Sequence, residues 1–490
     1  MSKTNSRFPL FAGLVILILQ SSIHAVGQRI EAIVSIEPGV QARIEGRFSN
    51  AASKRNLSFL TAVAGAGDLG GRISDVSLGT VDGRQIKFRK LNNSEYLADE
   101  DFSLWSYGVD LSPPKTTAAA AHTSWLSGDG GALMLDDILP QTGKSRETNS
   151  GQIMLRIPDG WKIFTAEKRV GNNTFEIASV EKAVFIIGPI YRRRTLPAGR
   201  VNVDLVLSGE WHFTDDEAAQ MASEILTEYQ RSLGFELPSK AQITIAKFPG
   251  GASHGVWQAE TRGSNVLILS GDMAFRTQSL QRLHEQLRHE IFHLWMPNTV
   301  NLRGNYDWFY EGFAQYQSLK LAVALNRIRF EDFLDTLSRA YSIDNGTTPR
   351  VSLIEASTGR WRGGGASVYA RGILVAFLTD VLMLDASGGK RSAIDIVRLI
   401  LHAKGTEQKD GNEVVIAAML NHPELVPIVE KYVRGTDPID RTHVEIAGIS
   451  ARGAGSRVHL NTMAKPNRRQ KAMLNKLGYN NWRKLAGDSK

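Results

Sequence analysis

One stretch constrains this chain more than any other: Arg288-His289-Glu290-Ile291-Phe292-His293-Leu294-Trp295. His289 and His293 stand four residues apart, which on a helix puts both imidazoles on one face, one turn apart. The flanks predict that helix over 278–296: Leu280, Leu283, Leu287, Ile291 and Leu294 recur at three- and four-residue steps, and Pro297 stops the run. Two neutral imidazoles so placed can hold a zinc ion at about 2.0–2.1 Å each. Glu290, between them, is the candidate general base for a water activated there.

A catalytic zinc takes three protein ligands and keeps one position open. Downstream runs Asp307-Trp308-Phe309-Tyr310-Glu311-Gly312-Phe313-Ala314-Gln315-Tyr316. Glu311 opens a second helical run (Phe313, Tyr316, Leu319, Leu321, Val323, Leu325) and is the candidate third ligand. One zinc ion per chain is expected, held by His289, His293 and Glu311. The chain has no cysteine, which excludes thiol catalysis, disulfides and cysteine-ligated metal sites.

These two segments together resemble the gluzincin metallopeptidases. The nearest likeness is to the glycyl-aminopeptidase-like family, whose members often carry a trailing PDZ domain. The aminopeptidase-N-like family is a more distant likeness. Seventeen residues separate His293 from Glu311, close to the spacing usual in the latter group, and Trp295 and Asn298 match residues that follow its second histidine. The resemblance spans roughly residues 205–445. It implies a thermolysin-like catalytic domain and a peptide or protein substrate.

Two further residues take roles from that resemblance. Glu260, in Trp257-Gln258-Ala259-Glu260-Thr261, falls on the glutamate that holds a substrate's free α-amine, a charge-assisted contact that places the cut near an amino terminus. Here Trp257, Gln258 and Ala259 stand where that family has paired glycines and a leucine, and Thr261 where it has histidine. Glu260 therefore reads either as a substrate contact or as a solvated strand-end carboxylate. Tyr369, in Tyr369-Ala370-Arg371-Gly372 after Gly363-Gly364-Gly365, matches the tyrosine of a Tyr-x-Lys-Gly motif. A phenol there would donate to the developing oxyanion. The function implied is zinc-dependent peptide hydrolysis, as an aminopeptidase ahead of an endopeptidase. A non-catalytic peptide-binding scaffold of the same fold is the alternative.

The rest of the chain sets the frame. Its 490 residues suffice for two or three domains. Lys3 and Arg7 ahead of the apolar run Phe8–Leu19, then Ser21-Ser22-Ile23-His24-Ala25, read as a signal peptide over residues 1–26. An exported protein, periplasmic or secreted, is expected. No later stretch is expected to reach membrane-span length. Residues 27–205 read as an antiparallel β-rich domain, from alternating runs such as Ile30–Ile36, Gln152–Ile157 and Arg200–Leu207.

Residues 112–131 read as a loop and Arg192-Arg193-Arg194 as a solvated turn with no nucleic-acid role. Residues 206–440 read as the mainly helical catalytic domain, with a capping box at Thr214-Asp215-Asp216-Glu217. The fold class is thus α+β and multidomain. Nine basic residues and one acid lie between Arg457 and Lys490, which accounts for the whole net charge of +8. Residues 441–490 are accordingly expected to be a solvated basic tail, with a helix possible from Arg468 to Leu485 and no PDZ domain. Oligomeric state is not legible.

Overall fold

Alternation of apolar and polar side chains builds the amino-terminal part of the chain. The computed structural model describes residues 29–49, 54–141, 149–406, 408–453 and 455–480. The expected signal peptide and the last ten residues lie outside these. The chain divides into two compact units. One comprises residues up to Pro113, Thr123–Ile163 and Glu167–Ile187; the other takes Pro114–His122, Phe164–Ala166 and everything from Gly188 onward.

The first unit centres on an eight-stranded sheet. Strand Arg29–Glu37 alternates buried and half-buried residues, as a strand with one face on a core must. It pairs antiparallel with Gln41–Ser49 along its whole length and parallel with Ser150–Arg156. The sheet is therefore mixed, where a purely antiparallel one was expected. Ile30, Val34, Ile44, Tyr107, Ile153 and Leu155 fill its core. The expected loop over 112–131 contains a short helix, Thr117–Ala120, and a strand pair, Trp125–Ser127 with Gly130–Met134.

The second unit begins earlier than residue 206. Its five-stranded sheet contains β1 (Arg192–Ala198), β2 (Val201–Leu207), β3 (Ala241–Ala246), β4 (Trp257–Arg262) and β5 (Asn265–Ser270), in the order β1-β2-β3-β5-β4. β2, β3 and β5 run parallel, and β4 pairs antiparallel at the edge. The triple arginine is thus strand, not turn: Arg192 and Arg194 reach Asp215 and Asp216 at 2.9 and 3.1 Å.

Helices cover and extend this sheet. α1 (Asp215–Leu233) starts with the predicted capping box on Thr214 and ends at Gly234 in the left-handed region, φ 62°. α2 (Arg276–His293) carries the two histidines and stops three residues short of Pro297. α3 (Asp307–Ala324) starts one turn before Glu311 and is buried on nearly every side. α4 (Phe330–Gly346) and α5 (Leu353–Thr358) lead to α6 (Gly365–Ala386).

α6 is long and apolar enough to cross a membrane, contrary to the expectation for any segment after residue 26. Its apolar window is 89% buried inside the unit, so it serves as the central core helix. α3 and α6 cross at two glycines: a Cβ on Gly312 would sit 2.4 Å from the Gly372 carbonyl carbon. Only a hydrogen at each position lets the backbones approach so closely.

The segment 441–480 folds onto the same unit instead of trailing as a tail. It forms a turn of 3-10 helix (Arg441–Ala447), a hairpin (Ile449–Arg452 with His459–Thr462) and a helix over Arg468–Leu477. Met473, Leu474 and Leu477 join the core that holds α2, α3 and α6, because this helix is amphipathic.

Candidate metal centre

α2 and α3 pack side by side, and their facing side chains converge. The Nε2 atoms of His289 and His293 lie 3.3 Å apart. Glu311 Oε2 is 3.2 Å from His289 Nε2 and 3.6 Å from His293 Nε2. Ligand atoms about 2.0–2.1 Å from a tetrahedral ion are separated from one another by about 3.3–3.4 Å. The three atoms therefore trace one face of a zinc coordination tetrahedron. Glu311 Oε2 is buried and accepts no hydrogen bond, the condition of an oxygen reserved for a ligand.

The surrounding charge agrees. Burial alone would lower the His293 imidazole, but the Glu311 and Glu290 carboxylates outweigh it and hold it up at about 9. The cradle thus favours a positive charge, whether proton or cation. His293 Nδ1 faces the Met296 carbonyl at 2.9 Å, which leaves Nε2 free to coordinate a cation. Asn298 donates to the carbonyls of His293 and Thr261 at 3.0 and 3.1 Å and accepts from the Gly263 amide at 2.7 Å, tying the end of α2 to edge strand β4. Trp295 is fully buried and donates to the Phe235 carbonyl at 2.8 Å.

Glu290 is held from β4. Thr261 Oγ1 donates to Glu290 Oε2 at 2.8 Å, and Glu290 Oε1 lies 4.0 Å from His289 Nε2. One carboxylate oxygen is thereby fixed by a threonine, and the other stays beside the metal ligands. Thr261 thus orients the candidate base from the neighbouring strand.

Arg360, in the short 3-10 turn Arg360–Arg362, was missed altogether. Its Nη1 reaches Glu311 Oε1 at 2.9 Å and Asp307 Oδ1 at 3.0 Å, and its Nη2 donates to the Tyr369 hydroxyl. Glu311 thus spends one oxygen on a guanidinium and leaves the other without a hydrogen-bond partner. Despite burial, the Arg360 charge drives the Glu311 carboxyl well below its ordinary value. The one available signal was Asp307, which shares a helix face with Glu311 at four-residue spacing.

Tyr369 stands near the start of α6, close enough to Glu311 and Glu290 that both raise its phenol further above the value burial gives it. It remains a neutral donor at any working pH. Arg371, at the lysine position of the likened motif, points away: it is buried against Asp344 at 3.0 Å and the carbonyls of Tyr432 and Asp437.

A cleft of about 1290 Å³ opens at the centre. His289, Glu290, Tyr369, Arg360 and Trp361 line it, together with His122 and Arg288. Glu260 is not among the lining residues; His122 Nδ1 contacts its Oε2, and Arg262 Nε meets its Oε1 at 3.3 Å. The His122 ring meets Trp361 edge-on, with centroids 5.3 Å apart. Burial would raise Glu260, but His122, Arg262 and Arg360 pull it down to about 2. The expected amine anchor is therefore a carboxylate whose oxygens already have partners within the protein.

Neither a family model nor a curated protein sequence matches this chain. Solved structures do. An aminopeptidase N family protein from Idiomarina loihiensis superimposes with a TM-score of 0.73 at 14% identity, over 86% of this chain and 79% of that one. An M1 zinc metallopeptidase from Deinococcus radiodurans gives a TM-score of 0.54 at 14% identity, covering 84% of this chain and 96% of its own. A variant of that enzyme solved with a Tyr-Ser-Ala substrate gives 0.55, also at 14% identity, with 84% and 95% covered. All share a β-sheet domain followed by a mainly helical one with the M1-type fold seen here.

Proposed function

We propose that this protein is a zinc-dependent peptidase. The observation that carries the reading is the convergence of His289 Nε2, His293 Nε2 and Glu311 Oε2 at the spacing of three zinc ligands. Zinc held there would acidify a water and polarise a peptide carbonyl. Glu290, with one oxygen fixed by Thr261, takes the proton from the attacking water and returns it to the leaving amine nitrogen. Tyr369 and the Arg360 guanidinium behind it supply donors for charge developing on the carbonyl oxygen.

A Glu290→Gln variant should bind one zinc per chain and lose turnover by about a thousandfold or more. Metal content by mass spectrometry and hydrolysis of a peptide library read the two halves. Turnover at the wild-type rate in that variant would refute the assignment, and full zinc occupancy without turnover in the native chain would support a binding scaffold.

Within this reading, the aminopeptidase activity rests on Glu260, whose side chain is 27% exposed and negative at physiological pH. A substrate ammonium must then displace His122. Endopeptidase action is the second reading, and what favours it is that His122 and Arg262 already occupy both Glu260 oxygens. N-acetylating a good substrate abolishes cleavage in the first case and spares it in the second. Export to the periplasm or beyond rests on the Lys3, Arg7 and Phe8–Leu19 pattern.

A further inference from the structure

Arg288 precedes the first histidine ligand, is 5% exposed, and lines the cleft. Its partners are all uncharged. Nη1 contacts His284 Nδ1, and Nε donates to Ser318 Oγ at 3.4 Å. Burial and the positive charges of Arg288 and Arg327 pull His284 down to about 3, so that ring is neutral. Among the described residues, no carboxylate lies within ion-pair distance of Arg288, and its Nη2 makes no hydrogen bond.

Most other charged groups of the cleft are paired elsewhere, and the two that are not, Asp335 and Arg339, are exposed where Arg288 is buried. Arg360 serves Asp307 and Glu311, Arg327 pairs with Glu224 at 2.7 Å, Arg282 with Glu285 at 2.8 Å, and Asp332 with Arg329 at 2.9 Å. Glu285 acts on Arg288 through space without touching it, and a buried cation with no contacting counter-charge costs several kcal/mol. A guanidinium with an open edge is also the group best shaped to grip a carboxylate. Arg360 shows what the same side chain looks like when its partners are supplied from within.

We propose that Arg288 is the cleft's carboxylate receptor: it binds an anionic group of the peptide substrate, either the terminal carboxylate of a short peptide or an Asp or Glu side chain. This rests on the peptidase reading above and deepens it by naming the substrate class.

The test compares three peptides on the zinc-loaded full chain: Leu-Gly-Gly, its C-terminal amide, and Leu-Gly-Asp amide. The native protein should favour an anionic peptide over the neutral amide by about 10–100-fold in kcat/KM. Preference for the free acid identifies the terminus as the source, and preference for Leu-Gly-Asp amide identifies the side chain. Arg288→Gln should bring the ratio to about 1, and Arg288→Lys, which keeps a charge, should retain part of it. The ratio is the readout, because a purely structural arginine would lower all three rates together.

A native protein that does not distinguish the three peptides, or an Arg288→Gln variant that keeps the preference, overturns the proposal. If none is cleaved, the peptidase reading is judged separately by the peptide library above. Calorimetric titration of the same peptides then decides: tighter binding of an anionic peptide, lost in Arg288→Gln, upholds the receptor, and equal binding overturns it.

Discussion

Arg360 joins three parts of the centre through one guanidinium: the spare oxygen of Glu311, the carboxylate of Asp307 and the hydroxyl of Tyr369. Partners that orient metal ligands are worth about 10–100-fold in metal affinity. Arg360→Gln should weaken zinc binding by that factor, measured by competition with a chromophoric chelator, and should lower kcat at saturating zinc. Glu260 gives a pH prediction. Its folded value is about 2 against an ordinary 4.5, so its contribution is complete above about 4.5 and fades as pH falls toward 2. That shift corresponds to at most on the order of 2–3 kcal/mol for a side chain 27% exposed. The gap in Tm between the native chain and Glu260→Gln should be widest above pH 5 and narrow by pH 3. The candidate ligands and base were legible because helical spacing places them; Arg360 and His122 were not, because tertiary folding alone carries them to residues about 50 and 140 positions away.

At the scale of elements, the candidate metal site is a relation between helices. The crossing of α3 and α6 brings Tyr369 toward Glu311, and Gly312 opposite Gly372 permits it. A methyl at 312 must push the helices apart. Gly312→Ala should therefore cost about 1–3 kcal/mol by overpacking, read by chemical denaturation, and should weaken zinc binding because Glu311 is the adjacent residue. Helices α1, α2 and α3 were legible as amphipathic or apolar runs, α1 with a clear cap at each end. Strand β1 was misread as a turn, since three arginines in succession hide the alternation that a strand needs, and their pairing with Asp215 and Asp216 is non-local. For the helix over Arg468–Leu477 it was the docking that stayed hidden: its basic count pointed to solvent, while its buried stripe is only Met473, Leu474 and Leu477.

For the whole molecule, a metal ion would bridge α2 and α3, two helices of one core. Binding to the folded chain alone adds about 4 kcal/mol of stability when free zinc is a thousandfold above Kd. Chelation should lower the Tm reversibly, zinc should restore it, and a His289→Ala chain should respond to neither. The two-part β-then-helical architecture was legible from composition and periodicity. The way the chain apportions itself was not, because contacts decide it. Pro114–His122 and Phe164–Ala166 leave the sequence of the first unit and belong to the second. A fragment begun at Gly188 would lack the imidazole against Glu260 and the His122 carbonyl that accepts from Arg262 at 3.2 Å. The lobe that carries the histidine pair is thus threaded through its neighbour's stretch of polypeptide, and no single cut, in the laboratory or in a genome, could release it whole.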